Sequence, residues 1–157
     1  METVFGFQKD LFFMQEALIQ AHKAAELNEV PVGAVVVNEQ GEIIARGHNS
    51  VEADCSQRSH AESLAIEQAG KVLGDWRLEG CWVYVTLEPC QMCIQLIKMS
   101  RLVGVVYGAS SPLFGFQLDK THKDWVYKRD AFSIIEGVCK DEAANMLKDF
   151  FQKRRKK

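Results

Sequence analysis

The sequence predicts an α/β protein, in which helices pack on a sheet that is partly parallel. Three observations support this fold class. Segments with helical spacing of apolar residues alternate along the chain with short apolar strand segments. One strand segment, at 81–87, is apolar almost throughout, as expected of a strand that is buried on both faces of its sheet. The predicted order is helix, hairpin, helix, strand, helix, strand, loop, strand and helix, which is typical of layered α/β folds.

The first half of the chain is predicted to form a helix, a hairpin and a second helix. In the first segment, Leu11, Met14 and Leu18 recur at helical intervals. Two apolar runs then flank a turn signal at 39–41, which predicts a β-hairpin. The predicted bounds of the first helix, the two hairpin strands and the second helix are 8–27, 31–38, 42–49 and 59–73.

The second half is predicted to contain three strands and two helices. Pro89 is expected to begin the third helix, where its missing N–H costs little. The stretch 109–131 has no clear period and is long for a structureless loop, so it is expected to contain a short helix and to border a site. The predicted strands are 81–87, 102–108 and 132–138, and the predicted helices are 89–99 and 141–155.

Length and composition favour one domain over residues 1–157. No apolar run approaches the roughly 18 residues of a membrane span, so no membrane partner is expected. The first residues, METVFGFQKD, lack the basic and apolar segments of a secretory signal. A cytoplasmic protein is therefore expected, and its 5 cysteines are interpreted as thiols or metal ligands rather than disulfides.

Charge is distributed unevenly along the chain. The 19 basic and 21 acidic residues give a net charge of −2. All five residues at 153–157, here called the basic tail, are Lys or Arg, and the remaining 14 basic and 21 acidic residues leave a net charge of −7. A basic tail on an acidic body predicts a polyanionic partner, although a solvated, frayed terminus is the simpler interpretation of the tail taken alone.

Cys90 and Cys93 form a CxxC pair in the first turn of the predicted third helix, where they share one face. The helix dipole and the unpaired N–H groups there favour thiolates. A redox pair usually surrounds a Gly-Pro-type turn, whereas Gln91 and Met92 lie between these cysteines. A structural zinc site needs a fourth protein ligand, usually from a second close pair, and the other cysteines stand singly. Neither interpretation is well supported.

A third metal ligand is available from His60, at the start of the predicted second helix. Three protein ligands leave one tetrahedral position for water, which is the pattern of a catalytic zinc. Glu62 would then stand beside that water without binding the metal. Ser59 and Glu62 also fit a capping box, a common start of a helix, and this is the alternative interpretation of Glu62. The two short motifs together, in this order, favour the catalytic one.

The segments His60-Ala61-Glu62 and Pro89-Cys90-x-x-Cys93 match the H-x-E…P-C-x-x-C signature of zinc-dependent nucleobase deaminases. From about residue 10 to 155 the chain also resembles the bacterial tRNA adenosine deaminases. The segments that carry this resemblance are Glu29 to Val35, Gly47-x-Asn49, Tyr84 to Cys90, and Asp149-Phe150-Phe151-x-x-Arg154-Arg155.

The resemblance implies a cytidine-deaminase-like fold, with three α-β-α layers and a mixed five-stranded sheet. It also implies a homodimer that converts the wobble adenosine of a tRNA anticodon stem-loop to inosine, with no DNA partner. One Zn²⁺ per chain, with water as its fourth ligand, would be bound by His60, Cys90 and Cys93, and Glu62 would move the proton. The positions that match substrate-binding residues are Glu29, Val30, Pro31, Asn49, Ala61, Phe150, Phe151, Arg154 and Arg155.

The sequence departs from the family pattern in one loop. After the fourth strand the family usually reads Gly-Ala-Arg-Asp-x-Lys, but here the three charged positions are Ser110, Ser111 and Leu113. Because the family's loop touches the anticodon loop, this change bears on the substrate rather than on the chemistry.

Two alternatives to a tRNA deaminase follow. A deaminase of a free base or nucleoside (cytosine, cytidine or guanine) would use the same zinc centre, and loss of the charged loop favours it weakly. The basic tail and the aromatic pair Phe150-Phe151 favour RNA instead. A non-catalytic RNA-binding subunit with a structural zinc is the other alternative, and the presence of Glu62 argues against it.

Overall fold

The computed structural model describes residues 1–118 and 131–156. Within these residues, helices and strands alternate as predicted. The helices are α1 (Phe7–Glu26), α2 (Val51–Asp54), α3 (Ala61–Leu73), α4 (Gln91–Met99) and α5 (Lys140–Arg155). The strands are β1 (Gly33–Val37), β2 (Ile43–His48), β3 (Trp82–Leu87), β4 (Gly104–Ala109) and β5 (Ser133–Glu136).

The strands form one mixed sheet in the order β2-β1-β3-β4-β5. β1 is antiparallel to both β2 and β3, so that Val35 is paired with Arg46 on one side and Tyr84 on the other. β3, β4 and β5 run parallel to one another. The predicted mixed five-stranded sheet is therefore confirmed, and all residues of β1 and β4 are buried, as expected of strands covered on both faces.

Helices cover both faces of the sheet, which gives the predicted three layers. Val35 and Val37 of β1 pack in a core with Phe13 of α1. Ala34 and Val36, which point to the opposite face, pack in a second core with residues of α3 and α4. α5 lies beside α1 on the first face, where Leu18 and Ala143 share a small cluster.

Close packing of α3 on β2 depends on a glycine. A Cβ at Gly47 would lie 2.5 Å from the carbonyl oxygen of Ala61, so no other residue fits there without a shift of the helix. This contact fixes the N-terminal turn of α3 against the end of β2. His60 is the N-cap residue of that helix, and Ala61 and Glu62 lie in its first turn.

The alternative interpretation of Ser59 and Glu62 as a capping box is wrong. α3 begins at Ala61, with His60 as the N-cap residue, and the His60 side chain makes no capping hydrogen bond. Ser59 belongs to the preceding loop, where its carbonyl oxygen accepts a hydrogen bond of 3.0 Å from the N–H of Ser50. This backbone pairing delays the helix by two residues from the predicted start, so Glu62 is not part of a reciprocal cap.

The start of α4 also differs from the prediction. The helix begins at Gln91 with Cys90 as N-cap, so Pro89 precedes the helix instead of being its first residue. The Pro89 carbonyl oxygen accepts a hydrogen bond of 2.9 Å from the N–H of Phe116, which holds this residue in the loop before the helix.

Two short helical segments occur in the described residues besides the four longer helices. The four-residue helix α2 lies between β2 and α3 and was not expected, because it has too few residues to show a period. The 3₁₀ turn Phe116–Leu118 corresponds to the short helix predicted within 109–131, of which residues 119–130 lie outside the described chain. None of the helices that are described has the length and apolar character needed to span a bilayer.

Candidate metal centre and adjoining cleft

The predicted metal ligands come together where the N-termini of α3 and α4 meet. His60 and Cys90 are the N-cap residues of these two helices, and Cys93 lies in the first turn of α4. The Nδ1 atom of His60 is 3.6 Å from the sulfur of Cys90 and 3.5 Å from the sulfur of Cys93. Two helix dipoles thus point at one cluster, which favours thiolate ligands.

The spacing of this trio fits a tetrahedral zinc ion. With Zn–N and Zn–S bonds of about 2.1 and 2.3 Å, nitrogen and sulfur ligands at a tetrahedral angle lie about 3.6 Å apart. All three ligand atoms are within 4.8 Å of one another. His60 Nε2 lies 3.4 Å from the side-chain amide of Gln57, a contact that can orient the ring while Nδ1 binds the metal.

The two cysteines have different proton affinities. A hydrogen bond from the Cys93 thiol, together with one from His60, lowers the pKa of Cys90 to about 4. The same contact with Cys90, together with burial, raises the pKa of the Cys93 thiol. A hydrogen bond to Cys90 raises the pKa of His60. The trio therefore carries at least one thiolate, and binding of a cation there would displace the remaining protons.

Glu62 is a buried acid beside the metal ligands. Its side chain lies in the first turn of α3 and is only 4% exposed. Burial raises the pKa of this carboxyl group above its ordinary value. A carboxyl group whose pKa is shifted toward neutral pH can both accept and release a proton, as a general acid–base group must.

A cleft of about 320 Å³ opens beside these residues. His60, Glu62 and Cys90 line it, and so do three of the residues predicted to bind the substrate, Glu29, Val30 and Asn49. The volume is at the lower end of the range of about 300–1,000 Å³ that is typical of small-molecule sites. The arrangement can therefore hold a compact ligand over a metal ion and a proton-transferring carboxyl group.

Asn49 and Glu29 are each fixed by hydrogen bonds to the backbone. Asn49 Oδ1 accepts a hydrogen bond of 2.8 Å from the N–H of Ala61. The buried Glu29 carboxylate accepts hydrogen bonds from the N–H groups of Glu52 and Ala53, at 3.1 and 2.8 Å, and so holds α2 in place. Glu29 thus supports one wall of the cleft. Asn49 presents a side-chain amide whose orientation is set.

Two other residues predicted to bind the substrate, Pro31 and Ala61, are not among the described residues that line the cleft. Both are buried. Ala61 contributes through its backbone N–H, which orients Asn49. Neither side chain therefore contributes to the cleft surface among the described residues.

Only one of the four predicted C-terminal RNA contacts lines the cleft. Arg154 does so, and its guanidinium group lies 5.0 Å from the centre of the Phe150 ring. Phe150 is 9% exposed and packs edge-on against Phe151, which is 42% exposed. Arg155 is exposed on the last turn of α5 and is absent from the described residues that line the cleft. Phe150 therefore supports Arg154 more than it offers a free ring.

Several residues that line the cleft were not predicted. They include Glu88, Ser111 and Phe114. Glu88 precedes Pro89 in the segment Tyr84 to Cys90, and its place in that segment was the only sequence indication that it belongs to the site. Ser111 and Phe114 lie in the loop that departs from the family pattern, which marked the segment but gave no role to either residue.

Comparisons with known proteins identify the family. The family model for the cytidine and deoxycytidylate deaminase zinc-binding region matches residues 7–109. The tRNA-specific adenosine deaminase of Bacillus subtilis is 44% identical over 151 residues, which cover 95% of this chain and 92% of that protein. The protein of the same name from Aquifex aeolicus is 41% identical, over 92% of this chain and 95% of that protein.

Solved structures show the same fold. A structure from a study of A-to-I editing by tRNA:A34 deaminases at the wobble position of transfer RNA superimposes with a TM-score of 0.79 at 36% identity, covering 87% of this chain and 99% of that one. A guanine deaminase from Nitrosomonas europaea also gives a TM-score of 0.79, at 22% identity, covering 89% of this chain and 83% of that one. At that identity the second likeness bears on the fold alone.

Proposed function

Because the chain belongs to the cytidine and deoxycytidylate deaminase family and, within it, to the tRNA-specific adenosine deaminases, we propose that it converts the wobble adenosine of a tRNA anticodon stem-loop to inosine. The observation that carries this proposal is the His60, Cys90 and Cys93 trio beside the buried Glu62, at one side of a cleft of about 320 Å³.

His60 Nδ1 and the two cysteine sulfurs would hold one zinc ion per chain, with a water molecule as its fourth ligand. A zinc ion held there would lower the pKa of that water to about 7 and so would supply hydroxide at neutral pH.

Glu62 transfers the protons of the reaction. Its carboxylate accepts a proton from the attacking water and delivers it to the ring nitrogen next to C6 of adenine. A proton then reaches the amino group, which leaves as ammonia, so that adenosine and water give inosine and ammonia. Because Glu62 is buried, bulk water does not compete with it for these protons.

Asn49 and Val30 orient the base in the cleft. Since Asn49 Oδ1 already accepts a hydrogen bond from Ala61, its amide can donate from Nδ2 to an acceptor on the substrate. Val30 supplies apolar contact to the base. The acidic Glu29 stays bonded to α2 and keeps this wall rigid.

An RNA substrate is supported by the charge near the cleft. Arg154 lines the cleft, and the described part of the basic tail, 153–156, forms the last turn and the C-cap of α5. Cations there can bind phosphates on either side of a base that has left its stack. The relatives from Bacillus subtilis and Aquifex aeolicus carry the name tRNA-specific adenosine deaminase, which is consistent with this substrate.

Deamination of matched substrates tests the proposal. The zinc-loaded protein is incubated with an RNA anticodon stem-loop that carries adenosine at the wobble position, with the same stem-loop in DNA, and with free adenosine, cytidine, cytosine and guanine. Chromatography of the digested products measures inosine and the other deaminated bases. We expect inosine from the RNA stem-loop alone. Deamination of a free base or nucleoside without any reaction of the stem-loop would instead support the alternative enzyme.

We also propose that the protein is a homodimer, as the resemblance to the family implies. The exposed apolar side chains Met92 and Met99 of α4, which are 40% and 58% exposed, are candidates for a surface that a second copy covers. Sedimentation equilibrium should give twice the chain mass of 17.7 kDa, whereas a single-chain mass at micromolar concentration would contradict the dimer.

A further inference from the structure

The carboxylate of Glu88 is buried inside a loop that forms part of the cleft. Its side chain accepts hydrogen bonds from the N–H groups of Ser111 and Gln117, at 3.1 and 3.0 Å. Its own N–H donates to the carbonyl oxygen of Ala109, at 2.8 Å. Glu88 is 6% exposed. We call residues 110–117 the pocket loop. The Glu88 side chain binds backbone N–H groups near both ends of this loop.

Gly115 is shaped to the same carboxylate. A Cβ at Gly115 would lie between 2.3 and 2.5 Å from the carboxyl atoms of Glu88, closer than atoms approach without a bond. Glycine therefore lets the backbone of the pocket loop rest directly on the buried acid. A buried charge that is surrounded by backbone in this way fixes the loop in one position, because any movement leaves the carboxylate without partners.

Two further bonds tie the pocket loop to the segment that carries Cys90. The N–H of Phe116 donates to the Pro89 carbonyl oxygen at 2.9 Å, and the side-chain amide of Gln91 donates to the Phe116 carbonyl oxygen at 3.1 Å. Residues on both sides of Cys90 thus hold the pocket loop. The same hydrogen bonds therefore link the pocket loop, which forms one wall of the cleft, to the segment that carries Cys90.

Phe114 stands on the part of the pocket loop between these fixed points. Its ring lines the cleft, yet its side chain is 75% exposed, and its N–H is bonded to the Ser111 hydroxyl oxygen at 3.3 Å. The preceding Leu113 is 77% exposed and is absent from the described residues that line the cleft. An exposed aromatic ring at the edge of a cleft, with Arg154 on the same cleft, is the arrangement that holds an unstacked nucleic-acid base.

From this geometry we propose that Phe114 stacks against an unpaired base that flanks the reacting adenosine, and that Glu88 is a positioning residue that holds the pocket loop for this contact. The inference rests on the proposed function and names one recognition element of it. Stacking suits this role because every base has an aromatic face. The loop has no charged side chain at Ser110, Ser111 and Leu113, where the family usually has them. A stacking contact from Phe114 would hold the RNA there without depending on charge.

A double-mutant cycle between protein and RNA tests the contact with Phe114. The side chain is removed by Phe114→Ala, and the base 5′ or 3′ of the reacting adenosine is removed by an abasic nucleotide. We expect Phe114→Ala to raise KM for the intact stem-loop by roughly 5- to 150-fold, the range that loss of one stacked base gives. On one of the two abasic stem-loops the substitution should have little further effect, because the partner is already gone. Effects that multiply independently at both positions would overturn the proposal.

Matched variants separate stacking from a general change of the loop. Phe114→Tyr keeps the ring and should stay within about two-fold of the wild-type KM. Leu113→Ala removes an equally exposed neighbour outside the cleft lining and should leave KM unchanged. If Leu113→Ala matches Phe114→Ala, the stacking contact is wrong. If the wild-type protein forms no inosine in any stem-loop, the proposed function is wrong. This result differs from one in which the wild type is active but Phe114→Ala has no specific effect, which would contradict the stacking contact alone.

Glu88 is tested from both sides of its contact with the loop. Glu88→Gln keeps the size of the side chain but turns an amide NH₂ toward one of the two backbone N–H groups, and Gly115→Ala introduces the Cβ that meets the carboxylate. Both should raise KM for the stem-loop while the zinc content stays at the wild-type value. An unchanged KM in Gly115→Ala would overturn the positioning role even if Glu88→Gln did not fold. Loss of zinc in both variants would overturn the positioning role, because it would show that Glu88 stabilises the metal ligand Cys90 instead of the contact with RNA.

Discussion

Asn49 Oδ1 accepts a 2.8 Å hydrogen bond from the backbone N–H of Ala61, the first residue of α3. The N–H groups in the first turn of a helix have no partner within the helix, so this side chain supplies one from the segment that follows β2. The same amide lines the cleft. Asn49 thus has two roles: it stabilises the start of the helix that carries Glu62, and it is available to bind the ligand.

Two substitutions of Asn49 separate these roles. Asn49→Ala removes both the acceptor and the donor, so we expect a loss of about 1 kcal/mol in the free energy of unfolding, as for loss of a helix cap, together with a higher KM. Asn49→Asp keeps an oxygen for Ala61 but has no N–H donor. It should keep the stability of Asn49 and still raise KM. Urea unfolding and steady-state kinetics measure the two effects, and a normal KM in Asn49→Asp would contradict the role in binding.

Glu62→Gln should remove proton transfer while it preserves the site. We expect kcat to fall by at least about 100-fold, at the low end of what a positioned acid–base group contributes, with zinc content unchanged. Because Glu62 takes no part in a helix cap, no loss of helix is expected from this variant. The matched control is Glu67→Gln on the exposed side of α3, where Glu67 forms a surface ion pair of 3.4 Å with Lys71. A Glu62→Gln rate above about one tenth of wild type would exclude the catalytic role.

Removal of a metal ligand should abolish zinc binding and activity together. We expect about one zinc per chain in the wild-type protein, and in Cys90→Ser a loss of zinc that parallels the loss of inosine formation. Cys55→Ser is the control, since that cysteine is exposed and its thiol donates a hydrogen bond of 3.6 Å to the Glu52 carbonyl oxygen, away from the metal ligands. Metal analysis and kinetics on the same samples decide the outcome. Full activity in a zinc-free sample would contradict a catalytic metal.

The sequence identified the elements of this fold well because most of them carry a clear period. The helix pattern around Leu11 and the apolar run 81–87 correspond to α1 and β3 with bounds that differ by one residue. Bounds next to the metal centre were predicted less well. There the backbone of Ser59 and Pro89 is engaged by distant residues, Ser50 and Phe116, and no local pattern reports such contacts.

The site itself was predictable only in part. The ligand trio occurs in two short motifs, so the sequence could name it, and the structure brings these residues together. The support of the cleft was missed because it depends on tertiary contacts. Glu88 reaches backbone groups 23 and 29 residues later in the chain. Phe150 was expected to lie near RNA, but it is only 9% exposed, and periodicity alone gives no signal for this burial.

Arg154 and Arg155 offer a paired test of RNA binding, since they are adjacent and carry the same charge. Arg154 lines the cleft and its guanidinium donates to the Asn28 carbonyl oxygen at 3.5 Å, whereas Arg155 is exposed and outside the cleft lining in the described chain. We therefore expect Arg154→Ala to weaken binding of the stem-loop more than Arg155→Ala does. Titrations at several salt concentrations should show that Arg154→Ala also lowers the slope of log K against log salt by about 0.7 to 0.9, the effect of one lost phosphate contact. Equal affinities and equal slopes in the two variants would mean that charge alone, and not the position of Arg154 at the cleft, determines binding.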